Sequence, residues 1–434
     1  MNKHILLLLA AVTLASASAQ SAVTATSGVL NTDLRLYQDF AEVRTPITSS
    51  GTRLDIMWPQ SAWSGLIRES LNLEGLPYKQ AVHRRGENWL RGLEGRPLTL
   101  LEDGQKQTVT LVRADDVLIR DVDGMYRRVN LADLAFPEVP PGRASEPLMV
   151  TSFDLEGAGS GTLTYLTHSL SWTPRYTLTV DSGGTPLLSA LADITNGTNL
   201  AYQVAGTELL AGDVSLVTSY VSGFDPSRVT QATFASGEYA AAPANISARE
   251  SLNGIYRYAL TEALSLPAES TVTLPFMQPG LSEFESYAGL ERGFNPSNDS
   301  GVLNRMYRFK ADLPLPGGNL TVREGNRLTG QTRIRETAPG QPVDFILGRD
   351  PDVSYDRTVK MLAESRVSRT YQVTYLLESA KKTAVKVELT ENTYNDRVTL
   401  SGEGVTKQGG SAQIKLELPA EGKVTRTFKV VIPQ

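Results

Sequence analysis

The chain has 434 residues, no cysteine, 42 Lys and Arg against 47 Asp and Glu, and a formal net charge of −5. The missing thiols exclude disulfides, a cysteine nucleophile, zinc–cysteine sites and iron–sulfur clusters. The mild acidity argues against nucleic acid as a partner, because phosphate binding needs a basic face.

Lys3, the apolar run from Ile5 to Ala15 and the small residues Ala17, Ser18 and Ala19 have the layout of a secretory signal peptide over residues 1–19. That run is too short and wrongly flanked for a membrane span. The mature chain is expected to begin at Gln20 and to work outside the cytoplasm, in the periplasm or cell envelope. Downstream no segment reaches the roughly 18–20 apolar residues of a spanning helix, so no transmembrane helix is expected in the mature chain.

In residues 20–88, short strands are expected at 34–37, 40–44 and 54–57. Residues 61–73 predict a helix, with Ser61 as its cap and Trp63, Leu66, Ile67 and Leu71 on its apolar side. A second helical turn is expected at 87–93. In residues 89–142, four or five short strands are broken by Asp103-Gly104 and Asp123-Gly124. Asp-Gly between alternating segments is a strong hairpin signal, and the spacing predicts a small closed, SH3-like barrel. The proline-rich segment 136–142 ends it as a stiff connector.

Residues 143–355 read as a central β-sandwich. The polar, alanine-rich stretch 221–251 exceeds the usual loop length and is expected to be a mobile excursion. Gly317-Gly318 and Gly409-Gly410 read as turns in which glycine supplies positive φ. In residues 356–434, Tyr371, Val373, Tyr375 and Leu377 recur at every second position, as do Val385, Val387 and Leu389, then Ile414, Leu416 and Leu418. Successive strand side chains point to opposite faces, so each such segment is apolar on one side. The fold class is therefore all-β: several antiparallel sandwich modules in series, few short helices, and a C-terminal immunoglobulin-like sandwich.

Gly161, Tyr165, His168, Trp172 and Tyr176, followed by Ile194, Asn196 and Thr198, carry a resemblance. The chain resembles bacterial proteins with the domain of unknown function four-one-three-nine, relatives of the mucoidy-inhibitor-A-like envelope proteins. Leu36-Tyr37 with Phe40-Ala41-Glu42-Val43-Arg44 is similar to the family's opening strand pair. Leu93 to Leu98 with Gly104 is similar to its small barrel. Asp213, the run Leu313 to Gly318, and Leu347 to Val353 match later features in order. Ser169 stands where the family usually has glycine. The resemblance implies an all-β, multi-sandwich exported envelope protein, and no catalytic residue, because the family has no agreed activity.

The residues themselves offer little chemistry. A serine nucleophile needs a histidine base, and only His83 and His168 follow the leader. Both read as surface or turn histidines, with Arg84 and Arg85 disfavouring the His83 imidazolium. Asp121, Asp123, Asp115 and Asp116, and separately Asp350, Asp352 and Asp356, resemble fragments of a calcium site but read as turns. Glu283, Glu285 and Glu291 are candidates for a hydrolytic carboxylate pair. Trp58, Trp63, Trp89 and Trp172 are candidates for a sugar platform, with packing the simpler reading. The Asn-x-Ser/Thr triplets at Asn196, Asn245, Asn298 and Asn319 read as chance. No catalytic, cofactor-binding or metal residue is assigned and no cofactor is expected. The expected function is non-enzymatic binding of another envelope protein or a cell-wall polymer, through bare sheet edges. Carbohydrate binding, and hydrolysis by a carboxylate pair, are the alternatives.

Overall fold

The structure is a computed structural model that describes residues 21–24, 32–102, 104–140, 149–181, 185–216, 246–252 and 254–433, with the backbone alone for 21–24 and 246–252. The expected leader at 1–19 lies outside the described residues. So does most of the expected excursion at 221–251, whose last residues belong to strand Ile246–Leu252.

The protein is all-β, built from several separate sheets. One four-stranded sheet runs in the order Ser21–Thr24, Arg53–Trp58, Met149–Leu155, Tyr78–Arg85. An eight-stranded sheet interleaves Thr32–Leu36, Ala41–Ser49 and Leu66–Glu74 with Gly159–Thr167 and Tyr202–Ala211. A five-stranded sheet centres on Leu170–Val180, which lies between Leu187–Asn196 and Gly318–Glu324. These three sheets and the start of a nine-stranded one share a single large core, with Trp58, Trp172, Tyr176 and Phe309 among its side chains. The segments expected as successive regions 20–88 and 143–355 thus share sheets in space.

Period-two alternation accounts for this. In Leu170–Val180, Leu170, Trp172, Tyr176 and Leu178 are buried and the residues between them are wetter. Turning one face of each strand inward leaves the other free for polar side chains.

The nine-stranded sheet builds the C-terminal module. Ser368–Ser379 and Lys423–Pro433 lie on one arm, Val385–Asn392 and Ser411–Leu418 on the other. Val373 and Tyr375 from one arm meet Val387 and Ile414 from the other in a second core. The expected boundary at 355/356 falls inside strand Pro342–Glu364, and the strands Leu281–Gly293 and Asp299–Ala311 belong to this C-terminal sheet. The parallel register Ala288↔Val387 joins them.

The small module has its own core of Leu90, Leu98, Leu100, Val109, Leu111 and Ile119. Its five strands run Tyr126–Arg128, Leu118–Arg120, Gln105–Arg113, Pro97–Glu102, Leu134–Ala135. Among the described residues the two end strands are not paired with each other, so the sheet is open where a closed barrel was expected. The end strands have three and two residues, too short to supply a closing ladder. The expected turn at 87–93 is a 3₁₀ helix, Trp89–Leu93, capped by the Asn88 carboxamide, which accepts from Leu90 N–H.

The helix expected over 61–73 is a correction. It spans only Gln60–Gly65 and has no side-chain cap, and Leu66–Glu74 is a strand. Pairing with Gly159–Thr167 overrides the local helical spacing, and Ser70 Oγ accepts from Leu166 N–H at the bulge. The glycine pairs also differ. Gly409 has φ +57°, but neither Gly317 nor Gly318 is left-handed; a Cβ on Gly318 would stand 2.4 Å from Pro174 O. Gly318 is there for close strand approach.

Candidate functional site

The histidines come first, because any nucleophilic chemistry would start from them. His168 Nδ1 is hydrogen-bonded to Asp39 O at 3.1 Å on an exposed turn. His83 Nδ1 shares a hydrogen bond of 3.0 Å with Thr151 Oγ1, and Trp58 Nε1 donates to the same oxygen at 3.0 Å. That hydroxyl is fully buried, so no substrate reaches it. Among the described residues no carboxylate is hydrogen-bonded to either His83 ring nitrogen. Partial burial of its ring first, and Arg68 second, push the His83 pKa below its ordinary value, although the residue as a whole is exposed. The sequence neighbours Arg84 and Arg85 are not the cause.

The carboxylates are tied to cations or to turns. Glu283 pairs with Lys310 at 2.7 Å, and Glu285 with Lys386 at 2.7 Å. Glu291 is exposed on the same strand. Asp121 Oδ1 accepts from Asp123 N–H and Met125 N–H, which closes a hairpin turn. Asp115 pairs with Arg91. Asp116 accepts from Arg113 and Arg128, and those hydrogen bonds hold its carboxyl well below the usual range. Asp350 accepts from Asp352 N–H and pairs with Lys381, while Asp356 is exposed. Among the described residues no three His, Asp or Glu side chains come together as a ligand set.

Trp58 and Trp172 are fully buried. Trp172 Nε1 donates to Leu210 O and its ring meets Phe276 edge-on. Trp63 and Trp89 are half-buried but pack against different cores, so they form no common platform. Asn196 is buried: its Nδ2 donates to Leu200 O and Pro267 O, and its Oδ1 accepts from the Thr198 amide and hydroxyl. Asn298 Oδ1 accepts from Val359 N–H, Asn319 is exposed on a strand, and Asn245 lies outside the described residues.

What remains is a sheet edge. Strand Tyr78–Arg85 pairs with Met149–Leu155 along one side, and its other side has no strand among the described residues. Every residue from Lys79 to Arg85 is exposed. Val82 stands 44% exposed at its middle. On the inner face the Trp63 and His83 rings lie 5.7 Å apart. No family model matches the chain, and no curated protein or solved structure does either. The site is thus read from its own geometry: unpaired backbone donors and acceptors on one long, exposed strand.

The sequence reading expects docking at bare sheet edges without naming one. Tyr78–Arg85 carries no apolar alternation, and edge position is a matter of long-range pairing. Its composition, Lys79, Arg84 and Arg85 around Val82, was the available signal.

Proposed function

We propose that this chain is an exported cell-envelope protein of the family it resembles. In this reading it acts as a non-enzymatic interaction module, and an extended segment of another envelope protein docks on Tyr78–Arg85. The observation that carries the reading is the bare, exposed edge of that strand. An added strand would take its affinity from backbone pairing and its specificity from alternate side chains. The buried Thr151 hydroxyl and the cation-paired Glu283 and Glu285 support a role without chemistry. Export rests on the leader pattern at 1–19.

Photo-cross-linking in living cells tests it, with benzoylphenylalanine placed at Val82 or, as a control, at the exposed Leu328 on edge strand Arg327–Ile334. The expected result is one adduct with an envelope protein from position 82 and none from 328. Equal labelling from both positions, or no adduct from 82, overturns the reading. Amino-terminal sequencing of the purified protein is expected to begin at Gln20.

A further inference from the structure

We propose that the segment docked on Tyr78–Arg85 is acidic, a strand with carboxylates aligned against Arg84 and Arg85. This rests on the docking reading above and names its partner class. The argument is charge complementarity.

Several arginines of the same sheet and of the eight-stranded sheet are neutralised within the chain. Arg35 pairs with Glu42 and Glu208, Arg44 with Glu42 and Glu74, and Arg53 with Asp55. Among the described residues Arg68, Lys79, Arg84 and Arg85 have no carboxylate within ion-pair reach, although acids outnumber bases in the chain. The neighbouring strand Met149–Leu155 has one carboxylate, Asp154, and it opposes Gln80. The cationic excess therefore sits at the Arg85 end.

Register places those cations on both faces. Val82 and Arg84 oppose Ser152 and Val150, while His83 and Arg85 oppose Thr151 and Met149. A strand added alongside would meet a guanidinium on either face, with Val82 as an apolar contact between them. The same charges discriminate against a second copy. Antiparallel self-pairing of Tyr78–Arg85 would set Lys79 against Arg84 of the other chain, and like charges directly opposite are destabilising. Lysine and arginine on an edge thus reject self-association and admit an acidic strand, so one device supplies both halves of the specificity.

The test uses the mature chain, residues 20–434, and three capped octapeptides of threonine with a central pair of adjacent glutamates, glutamines or lysines, so that one such side chain stands on each face. Polygalacturonate serves as an acidic polymer without peptide groups. The glutamate peptide is expected to bind at low salt about tenfold tighter than the other two, as two exposed ion pairs allow. It is expected to weaken in 0.5 M salt, on the order of a 4 Å screening length. An Arg84→Ser, Arg85→Ser variant with unchanged circular dichroism is expected to lose that preference. Equal binding of all three peptides overturns the acidic partner and leaves the docking edge standing. Binding of none overturns both. Polygalacturonate bound as tightly as the glutamate peptide overturns the strand partner in favour of a polymer.

Discussion

Arg357 and Glu391 form an ion pair enclosed in the C-terminal core, their side chains 0% and 3% exposed. Arg357 Nη2 and Nε both donate to the Glu391 carboxylate, Tyr375 OH donates to Glu391 Oε2 at 2.9 Å, and Arg357 Nη1 donates to Ser297 O at 2.6 Å. The pair ties strand Pro342–Glu364 to Val385–Asn392 across the core, and Phe294 lies beneath the guanidinium. Burying two charges is costly, so the pair adds little net stability while intact, but removing one partner strands the other. Arg357→Met is expected to destabilise the module by about 3–5 kcal/mol, and Arg357→Met with Glu391→Leu to recover most of that. All four tryptophans belong to or pack against the other cores, so tryptophan emission is a poor probe. Hydrogen exchange in strand Ser368–Ser379 is the measurement.

Gly65 and Ser169 are matched in size. A Cβ on Gly65 would lie 1.9 Å from Ser169 Oγ and 3.0 Å from its backbone nitrogen. The Ser169 hydroxymethyl group is accommodated by the missing side chain at 65. Gly65→Ala is expected to cost about 1–3 kcal/mol through overpacking. In a Ser169→Gly background the same change is expected to cost less than half as much. A double-mutant cycle of thermal unfolding measures the coupling, and additive effects would contradict it.

Asn196 satisfies four hydrogen bonds in a buried turn, donating twice and accepting twice. Asn196→Asp preserves shape but replaces both donors with an acceptor facing the Leu200 and Pro267 carbonyls. Losing two buried bonds is expected to cost about 2–4 kcal/mol, more than Asn319→Ala at its exposed site would. Acidification that protonates the new carboxyl is expected to restore part of the loss, and chemical denaturation at two pH values reads it.

Strands were legible where one face is buried and the other wet. Ser368–Ser379 and Val385–Asn392 alternate because each borders one core only. Residues 66–74 were not legible, because Leu66, Ile67 and Leu71 fit helical spacing as well as strand spacing. Pairing with Gly159–Thr167, nearly a hundred residues away, decides the matter. The same limit hid the membership of Leu281–Gly293 in the C-terminal sheet, which depends on a parallel register with Val385–Asn392. The exposed edge strand falls in this class too. The basic residues of Tyr78–Arg85 are plain in the sequence, but their strand pairs with Met149–Leu155 on one side and, among the described residues, with no strand on the other.

His83 is expected to make the fold sensitive to mild acid. Burial and Arg68 lower its pKa below the ordinary 6.5, so the unfolded chain takes up the proton before the folded one. The stability tied to neutral His83 is therefore full above pH 6.5 and is lost as pH falls through 6.5 toward the folded value. Protonation adds charge beside Arg68. The unfolding midpoint is expected to fall more steeply between pH 7.5 and 5.5 in the parent than in His83→Gln. An imidazole titration followed by NMR is expected to place His83 below 6.5 and to move it upward in Arg68→Gln. Identical pH slopes for the parent and His83→Gln would mean that the proton linkage resides elsewhere.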